Sequence, residues 1–280
     1  MNIQMNSAAT SMRELQKKVD TIANNIANVN TTGYKRSEAN FADALVQSFE
    51  KQAGAQNEIG RSTPNGIRVG AGVTISQTAL RTDQGSITKT DRPLDFMIQG
   101  EAGFFRVASE GNTLYTKDGA FQLQPTQNGN QVNLVTANGD AVLGSNNTPI
   151  TFDGDYENIA VNANGTMEVS YKDAAKQPDN FQLSVAQISR PDLLQKTGGN
   201  LYQLPGTEAA QVANGTLQVL NLAEGNDGAI KINQGSLEMS NVDLANEMTE
   251  LIATQRLIQS QSKAISFADD MRGLVNTIRG

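Results

Sequence analysis

Three stretches of this chain hold residue types at spacings that could carry chemistry. Asp153-Gly154-Asp155-Tyr156-Glu157 alternates acidic side chains as a calcium loop does. It lacks the glycine at the sixth loop position and the glutamate at the twelfth, where Gly165 is nearest, so it reads as a solvated turn. Gly70-Ala71-Gly72 offers two glycines of a dinucleotide fingerprint without the third. It also leads into a strand, where that fingerprint would open a helix. Asp269-Asp270 could serve a reaction that needs paired carboxylates, such as glycoside cleavage. On a helix adjacent side chains point about 100° apart, so this pair reads as surface charge.

The wider composition removes most other chemistry. The 280 residues include no histidine, no cysteine and no tryptophan. Imidazole bases, Ser-His-Asp triads and the commonest zinc ligand are therefore excluded. So are thiol nucleophiles, disulfides and iron–sulfur ligation. The reading carries no catalytic residue, no cofactor and no metal. The net charge of −7 and a longest Lys/Arg run of two argue against a nucleic-acid partner. Hydrophobic residues reach only 38% and charged ones 18%, a mixture rich in small polar residues that suits β-structure and extended segments. No apolar run is long enough to span a membrane. The first residues, Met1-Asn2-Ile3-Gln4, lack the basic and apolar regions of a secretory signal, so export would proceed without a cleaved one.

The elements that would position these residues divide into two helical ends and a β-rich middle. Apolar residues recur at Met5, Ala8, Met12, Leu15, Val19, Ile22, Ile26 and Val29, alternating steps of three and four. That spacing predicts an N-terminal helix with a heptad seam. Ser240-Asn241-Val242-Asp243 offers a helix start. Beyond it Leu244, Met248, Leu251, Ile258, Ile265, Ala268, Met271, Val275 and Ile278 recur at threes and fours, with Gln255 and Ser262 in the two missing steps, predicting a closing helix of roughly 30 residues with a similar seam. A short helix is expected at Glu38–Lys51, with Phe41, Leu45 and Phe49 on one face.

Residues 54–72 crowd Gly, Pro and Asn and read as an extended connection. From Val73 onward strand-like runs such as Phe104-Phe105-Arg106-Val107 and Val132-Asn133-Leu134-Val135 alternate with Glu110-Gly111, Asp118-Gly119, Asn138-Gly139 and Asn164-Gly165. This predicts a central antiparallel β domain. The expected fold class is α+β: paired, coiled-coil-like terminal helices flanking an all-β centre. The expected division is 1–30 with 236–280 as helical domain, 31–80 with 206–235 as connections, and 81–205 as the β domain.

Between the N-terminal seam and the β region lies Ile22-Ala23-Asn24-Asn25-Ile26-Ala27-Asn28-Val29-Asn30-Thr31-Thr32-Gly33-Tyr34-Lys35. Asparagine is a mediocre helix former, so four in seven positions are unexpected at a helix end. The stretch resembles the N-terminal signature of the bacterial flagellar axial proteins, the rod and hook subunits. Leu94-Asp95-Phe96-Met97-Ile98-Gln99-Gly100, Gly103-Phe104-Phe105-Arg106-Val107 and Tyr115-Thr116-Lys117-Asp118-Gly119-Ala120-Phe121 are similar to further signatures of that family. Gly198-Gly199-Asn200-Leu201-Tyr202 and Gly235-Ser236-Leu237-Glu238-Met239-Ser240-Asn241-Val242-Asp243-Leu244 follow in the family's order. Two departures stand out: Ile258 replaces a usual aromatic, and Glu101-Ala102 lengthens the linkage before Gly103.

The resemblance implies an exported structural subunit of the basal-body rod, most like the distal-rod members. In that family the terminal helices form the inner tube of a helical filament and the β domain its outer shell. Assembly residues implied here are Met12, Leu15, Val19, Ile22, Ile26, Leu244, Met248, Leu251, Ile258 and Ile265 on the seams. Asn24, Asn25, Asn28 and Asn30 would give and accept hydrogen bonds at a crowded interface. Asn30-Thr31-Thr32-Gly33 would end the helix with Gly33 in the left-handed conformation, and Gly33 and Tyr34 are implied as assembly residues as well. Implied partners are copies of itself, neighbouring rod and hook proteins and the flagellar type III export apparatus, to which Phe41 and Leu45 would be presented. The implied location is the basal body, in the periplasm or cell-wall zone. A secreted β-domain binding module or a peptidoglycan-acting cell-wall protein is the competing class.

Overall fold

A computed structural model describes residues 2–43, 46–49, 67–70, 73–100, 102–109, 111–126, 129–173, 175–220, 222 and 230–279. The chain divides into two units: Met1–Ile26 with Ser37–Ala79 and Leu244–Gly280, and Ala27–Arg36 with Leu80–Asp243.

The helices are α1 (Asn2–Ala27), the short α2 (Glu208–Ala213) and the terminal α3 (Leu244–Arg279), and the first unit contains α1 and α3. α1 stops at Ala27, so Asn28, Val29 and Asn30 lie in turns and the predicted N-terminal seam ends at Ile26. α3 runs 36 residues without an internal break. Its less exposed positions are Glu247, Leu251, Thr254, Ile258, Gln261, Ile265 and Ala268, again at threes and fours. Leu251, Ile258 and Ile265 belong to the predicted seam, but their companions on this face are polar or small. Thr254 meets that placement by donating its hydroxyl to Glu250 O at 2.7 Å.

The short helix expected at Glu38–Lys51 is absent among the described residues. Ser37–Asp43 and Val46–Phe49 are strands, the first paired with Val73–Leu80 and the second with Ile67–Gly70. The reason lies in the spacing. Phe41, Leu45 and Phe49 are four apart, which marks one face of a helix and equally one face of a strand of period two. Pairing with distant strands decided between them.

The second unit is antiparallel β throughout its paired strands. Its largest sheet runs Thr151–Asp153, Gln131–Val135, Ala141–Val142, Gly103–Ser109, Asn112–Thr116, Leu201–Gln203 and Gln195–Gly198. Val185–Ile188 joins it between Gly103–Ser109 and Leu217–Leu220. Gly103–Val107 is buried residue after residue because both faces of its strand are covered. Phe105 enters a core with Phe96, Phe121, Leu134, Met167 and Leu183. Its neighbour Phe104 enters a second core with Tyr202, Ile188 and Leu217. Edge-to-face packing of Phe105 on Phe121, at 5.1 Å, fixes the first core.

A three-stranded sheet, Tyr156–Val161 with Thr166–Tyr171 and Asp179–Gln182, and two small ladders, Phe96–Gln99 with Lys231–Gln234 and Ile87–Lys89 with Ser236–Glu238, complete the described part of this unit. Gly139 and Gly165 turn at φ +93° and +76°, the left-handed conformation that Asn-Gly pairs supply. Asp118-Gly119 is different. A Cβ on Gly119 would lie 1.7 Å from Phe96 O, so this glycine permits close approach of two backbones and makes no hairpin.

Candidate functional site

The residues of the asparagine-rich segment from Asn28 to Lys35 are seated on the β sheet of the second unit. Thr31 donates its hydroxyl to Asn28 Oδ1 at 3.2 Å, which holds the turn after α1. Gly33 then adopts φ +67°, and its N–H donates to Glu238 O at 2.8 Å. A Cβ at this position would stand 2.4 Å from Asp118 N, so both conformation and space require glycine.

Past Gly33 the chain drives Tyr34 and Lys35 inward. Lys35 is wholly buried, and its ammonium donates to Glu238 Oε1 at 2.5 Å and to Asp83 O at 2.6 Å. The same Oε1 accepts the Gly85 N–H at 2.9 Å. A second buried ammonium, Lys117 Nζ, stands 3.5 Å from Glu238 Oε2 and donates to Gly100 O at 2.8 Å. Two lysines thus share one glutamate. Buried charges persist only when paired and hydrogen-bonded, and here a backbone carbonyl joins the carboxylate beside each ammonium.

Lys196 closes over this segment, its ammonium 4.2 Å from the Tyr34 ring centre and donating to Lys35 O at 3.1 Å. Asn200, itself at φ +59°, donates to Thr32 O at 2.9 Å. Arg36 N–H donates to Asn241 Oδ1, and Asn241 Nδ2 donates to Arg81 O and Asp83 O. One side-chain amide thereby joins three lengths of backbone.

Asp118 sits beside the Thr32 turn. Its Oδ1 accepts from the Thr32 hydroxyl at 3.0 Å and from Ala120 N–H at 3.1 Å. Burial pushes its carboxyl above the usual range, Asp95 pushes the same way, and the two hydrogen bonds oppose them. Next to it a polar cleft of about 260 Å³ is walled by Asn28, Thr31, Thr136, Asn138 and Asn200.

The assembly residues expected on the helices belong to the first unit. Ile22 is buried, and Met12, Leu15, Val19 and Ile26 are half-buried. Asn25 is buried and brackets Ser37, donating to its carbonyl and accepting from its N–H, each at 3.0 Å. Its amide also donates to Glu247 Oε2 of α3 at 3.2 Å, and Lys18 pairs with Glu250 at 3.2 Å. Asn24 and Asn30 are exposed. Leu244 and Met248 are each 44% exposed, outside the covered face of α3. Phe41 lies on an exposed strand position with Lys18 Nζ 5.7 Å from its ring centre, and Leu45 lies outside the described residues. Sequence reasoning quoted Lys35, Lys117 and Glu238 inside its motifs but assigned them no role. Their signal was a charged residue inside an otherwise apolar or turn-forming run.

Comparison with known proteins gives a consistent account of these segments. Residues 5–35 match the family described as flagella basal body rod protein. Residues 97–169 match the flagellar hook protein FlgE/F/G D1 domain, and 233–278 the flagellar basal body rod FlgEFG protein C-terminal. The chain is 39% identical over 278 residues to the flagellar hook-basal body complex protein FlhP of Bacillus subtilis, covering 98% of each chain. It is 36% identical over 276 residues to the flagellar basal-body rod protein FlgG of the same organism, again 98% of each. To FlgG of Agrobacterium fabrum it is 35% identical over 271 residues, 96% of each. Ends, seat and β centre are matched together and in order. The chain belongs to the flagellar basal-body rod and hook protein family.

Proposed function

We propose that this protein is a structural subunit of the flagellar basal-body rod, polymerising with copies of itself into a helical tube that passes torque to the hook. The observation that carries the reading is likeness to curated rod proteins over the full length, terminal helices included. The exposed apolar surface of α3 supports it. Leu244, Met248, Ile252, Phe267, Met271 and Leu274 are all exposed, Phe267 by 69%. Large apolar side chains left in water along one helix mark a surface that another chain covers.

In this reading α1 and α3 supply the inner tube, with coiled-coil-like pairing along their seams. Met12, Leu15, Val19, Ile22, Asn24, Asn25, Ile26, Asn28, Asn30, Gly33 and Tyr34 act from the first end. Leu244, Met248, Leu251, Ile258 and Ile265 act from the other. Residues 81–205 form the outer shell, and 31–80 with 206–235 contact adjacent subunits. Neighbours are other rod and hook proteins at the distal rod, in the periplasm or cell-wall zone. The role is structural, not catalytic.

Deleting the gene should leave cells non-motile with basal bodies that carry no hook, and the protein should be found in basal bodies purified from complemented cells. Motile deletion cells, or basal bodies without the protein, would overturn the reading. Export through the flagellar type III apparatus, without a cleaved signal, is read as depending on Phe41 and Leu45, a short apolar pair that an unfolded substrate can present. Changing both to alanine should hold the protein in the cytoplasm, measured by fractionation; normal secretion of the double variant returns the pair to local packing.

A further inference from the structure

The cleft beside Asp118 is lined by groups that help to seat the segment from Asn28 to Lys35, yet it keeps acceptors that those contacts do not use. Its walls come from four places: the turn after α1, the end of Asn112–Thr116, the Asn138 turn and the Gly199–Leu201 hairpin. No residue lining it is cationic. Asp118 uses Oδ1 for both of its hydrogen bonds, and Oδ2 accepts none from the described residues. The adjacent Lys117 directs its ammonium to Gly100 O and Glu238 instead. Asn138 Nδ2 is directed to Gly199 O at 3.4 Å, which leaves its Oδ1 as an acceptor. A half-buried carboxylate with acceptors around it and no cation in its cleft suits a donor-rich, positively charged guest.

We propose that this cleft is a binding site for an alkylammonium group, with Asp118 Oδ2 and Asn138 Oδ1 accepting its hydrogens. A guanidinium fits less well, because it favours both oxygens of one carboxylate and Oδ1 is already engaged. A sugar would need an aromatic platform or several donors, and the lining has no aromatic ring. The ammonium can come from a free amine or from a lysine of a second copy of this chain; only the second source rests on the rod reading.

The test has two arms. In the first, n-butylamine is titrated onto the purified full-length protein and followed by NMR of the Asn138 and Asn200 side-chain amides and the Asp118 carboxyl. Saturable shifts are expected, together with a fall in the Asp118 pKa as the ammonium binds. D118N, which keeps an acceptor for Thr32 and Ala120, should weaken binding about tenfold, the worth of one charge-assisted hydrogen bond. N138A should weaken it less, and serves alone if D118N does not fold. No saturation, an equal response to n-butanol, or unchanged affinity in the folded variants overturns the proposal. In the second arm, assembled rods are treated with a carbodiimide and digested for mass spectrometry. An amide between Asp118 and a lysine of another copy identifies the lattice as the source. Butylamine binding without that cross-link supports the site with a free amine as guest. A chain that forms no rods defeats the rod reading and leaves the first arm standing.

Discussion

The β unit and the helical ends treat their side chains in opposite ways. In the β unit the buried charges are matched, Lys35 and Lys117 against Glu238 and Arg106 against Glu208, and its aromatic residues fill two cores. On α3 the pattern inverts: Glu247 and Thr254 are covered while Leu257, Phe267 and Leu274 stand in water. A region that pairs its buried charges and buries most of its apolar residues is close to self-sufficient, even with Asp95 Oδ1, Arg106 Nε and Glu238 Oε2 buried without a hydrogen-bond partner among the described residues. A helix that leaves both faces of its apolar pattern partly uncovered is not, since a helix draws most of its stability from packing. From this difference we propose that the β unit folds by itself and that the ends wait for neighbours.

Removal of α3 puts this contrast to its strongest test. Deleting residues 244–280 should abolish motility and incorporation into rods, yet leave a soluble protein with the near-ultraviolet signature of a packed β core. The cut falls after Asp243, so Glu238 and Asn241 and their partners stay in place. Incorporation of the truncated chain would show that the helix is dispensable.

The next largest effect tests whether the β unit depends on its matched charges. Glu238→Gln leaves two ammonium groups in a site where both are inaccessible to water, and should cost about 3–5 kcal/mol in urea unfolding. Lys35→Met should cost less, because Lys117 still faces Glu238. Equal and small losses would mean that the apolar cores alone hold the segment in its seat.

Gly33→Ala asks the same of the backbone. Left-handed φ in a residue with a Cβ costs about 1–3 kcal/mol, and the contact with Asp118 N adds to it. Thermal unfolding should shift down while the helical content at the ends is unchanged. A neutral result would show that the turn can relax.

The smallest effect is pH-dependent. The folded carboxyl of Asp118 titrates above its ordinary value of 3.8, so its contribution is most favourable below that value and is lost as pH rises through the folded pKa. The urea midpoint of the wild type should therefore fall relative to that of D118N as pH is raised from about 3 to about 7. A constant difference between the two across that range would show that partial burial of the Asp118 carboxyl carries no pH-dependent cost.

Elements whose signals are local can be read from the residues alone. Heptad spacing predicted α1 and α3, Asn138-Gly139 and Asn164-Gly165 predicted two left-handed turns, and alternation with turn residues predicted an antiparallel centre. Gly33 was legible for the same reason, since a left-handed residue near a helix end is a property of a few consecutive positions. Tertiary structure alone decided what depends on distant partners. Ser37–Asp43 became a strand because Val73–Leu80 pairs with it, and a four-residue apolar spacing could not show that. The covered face of α3 fell on Glu247 and Thr254 because Asn25 and a carbonyl of the same helix satisfy them, which hydrophobicity does not encode. Lys35 and Glu238 are 203 residues apart, and each alone reads as an ordinary surface charge. Only the folded chain brings them within 2.5 Å, away from water, where the Coulomb energy that pairs them grows as the local dielectric falls.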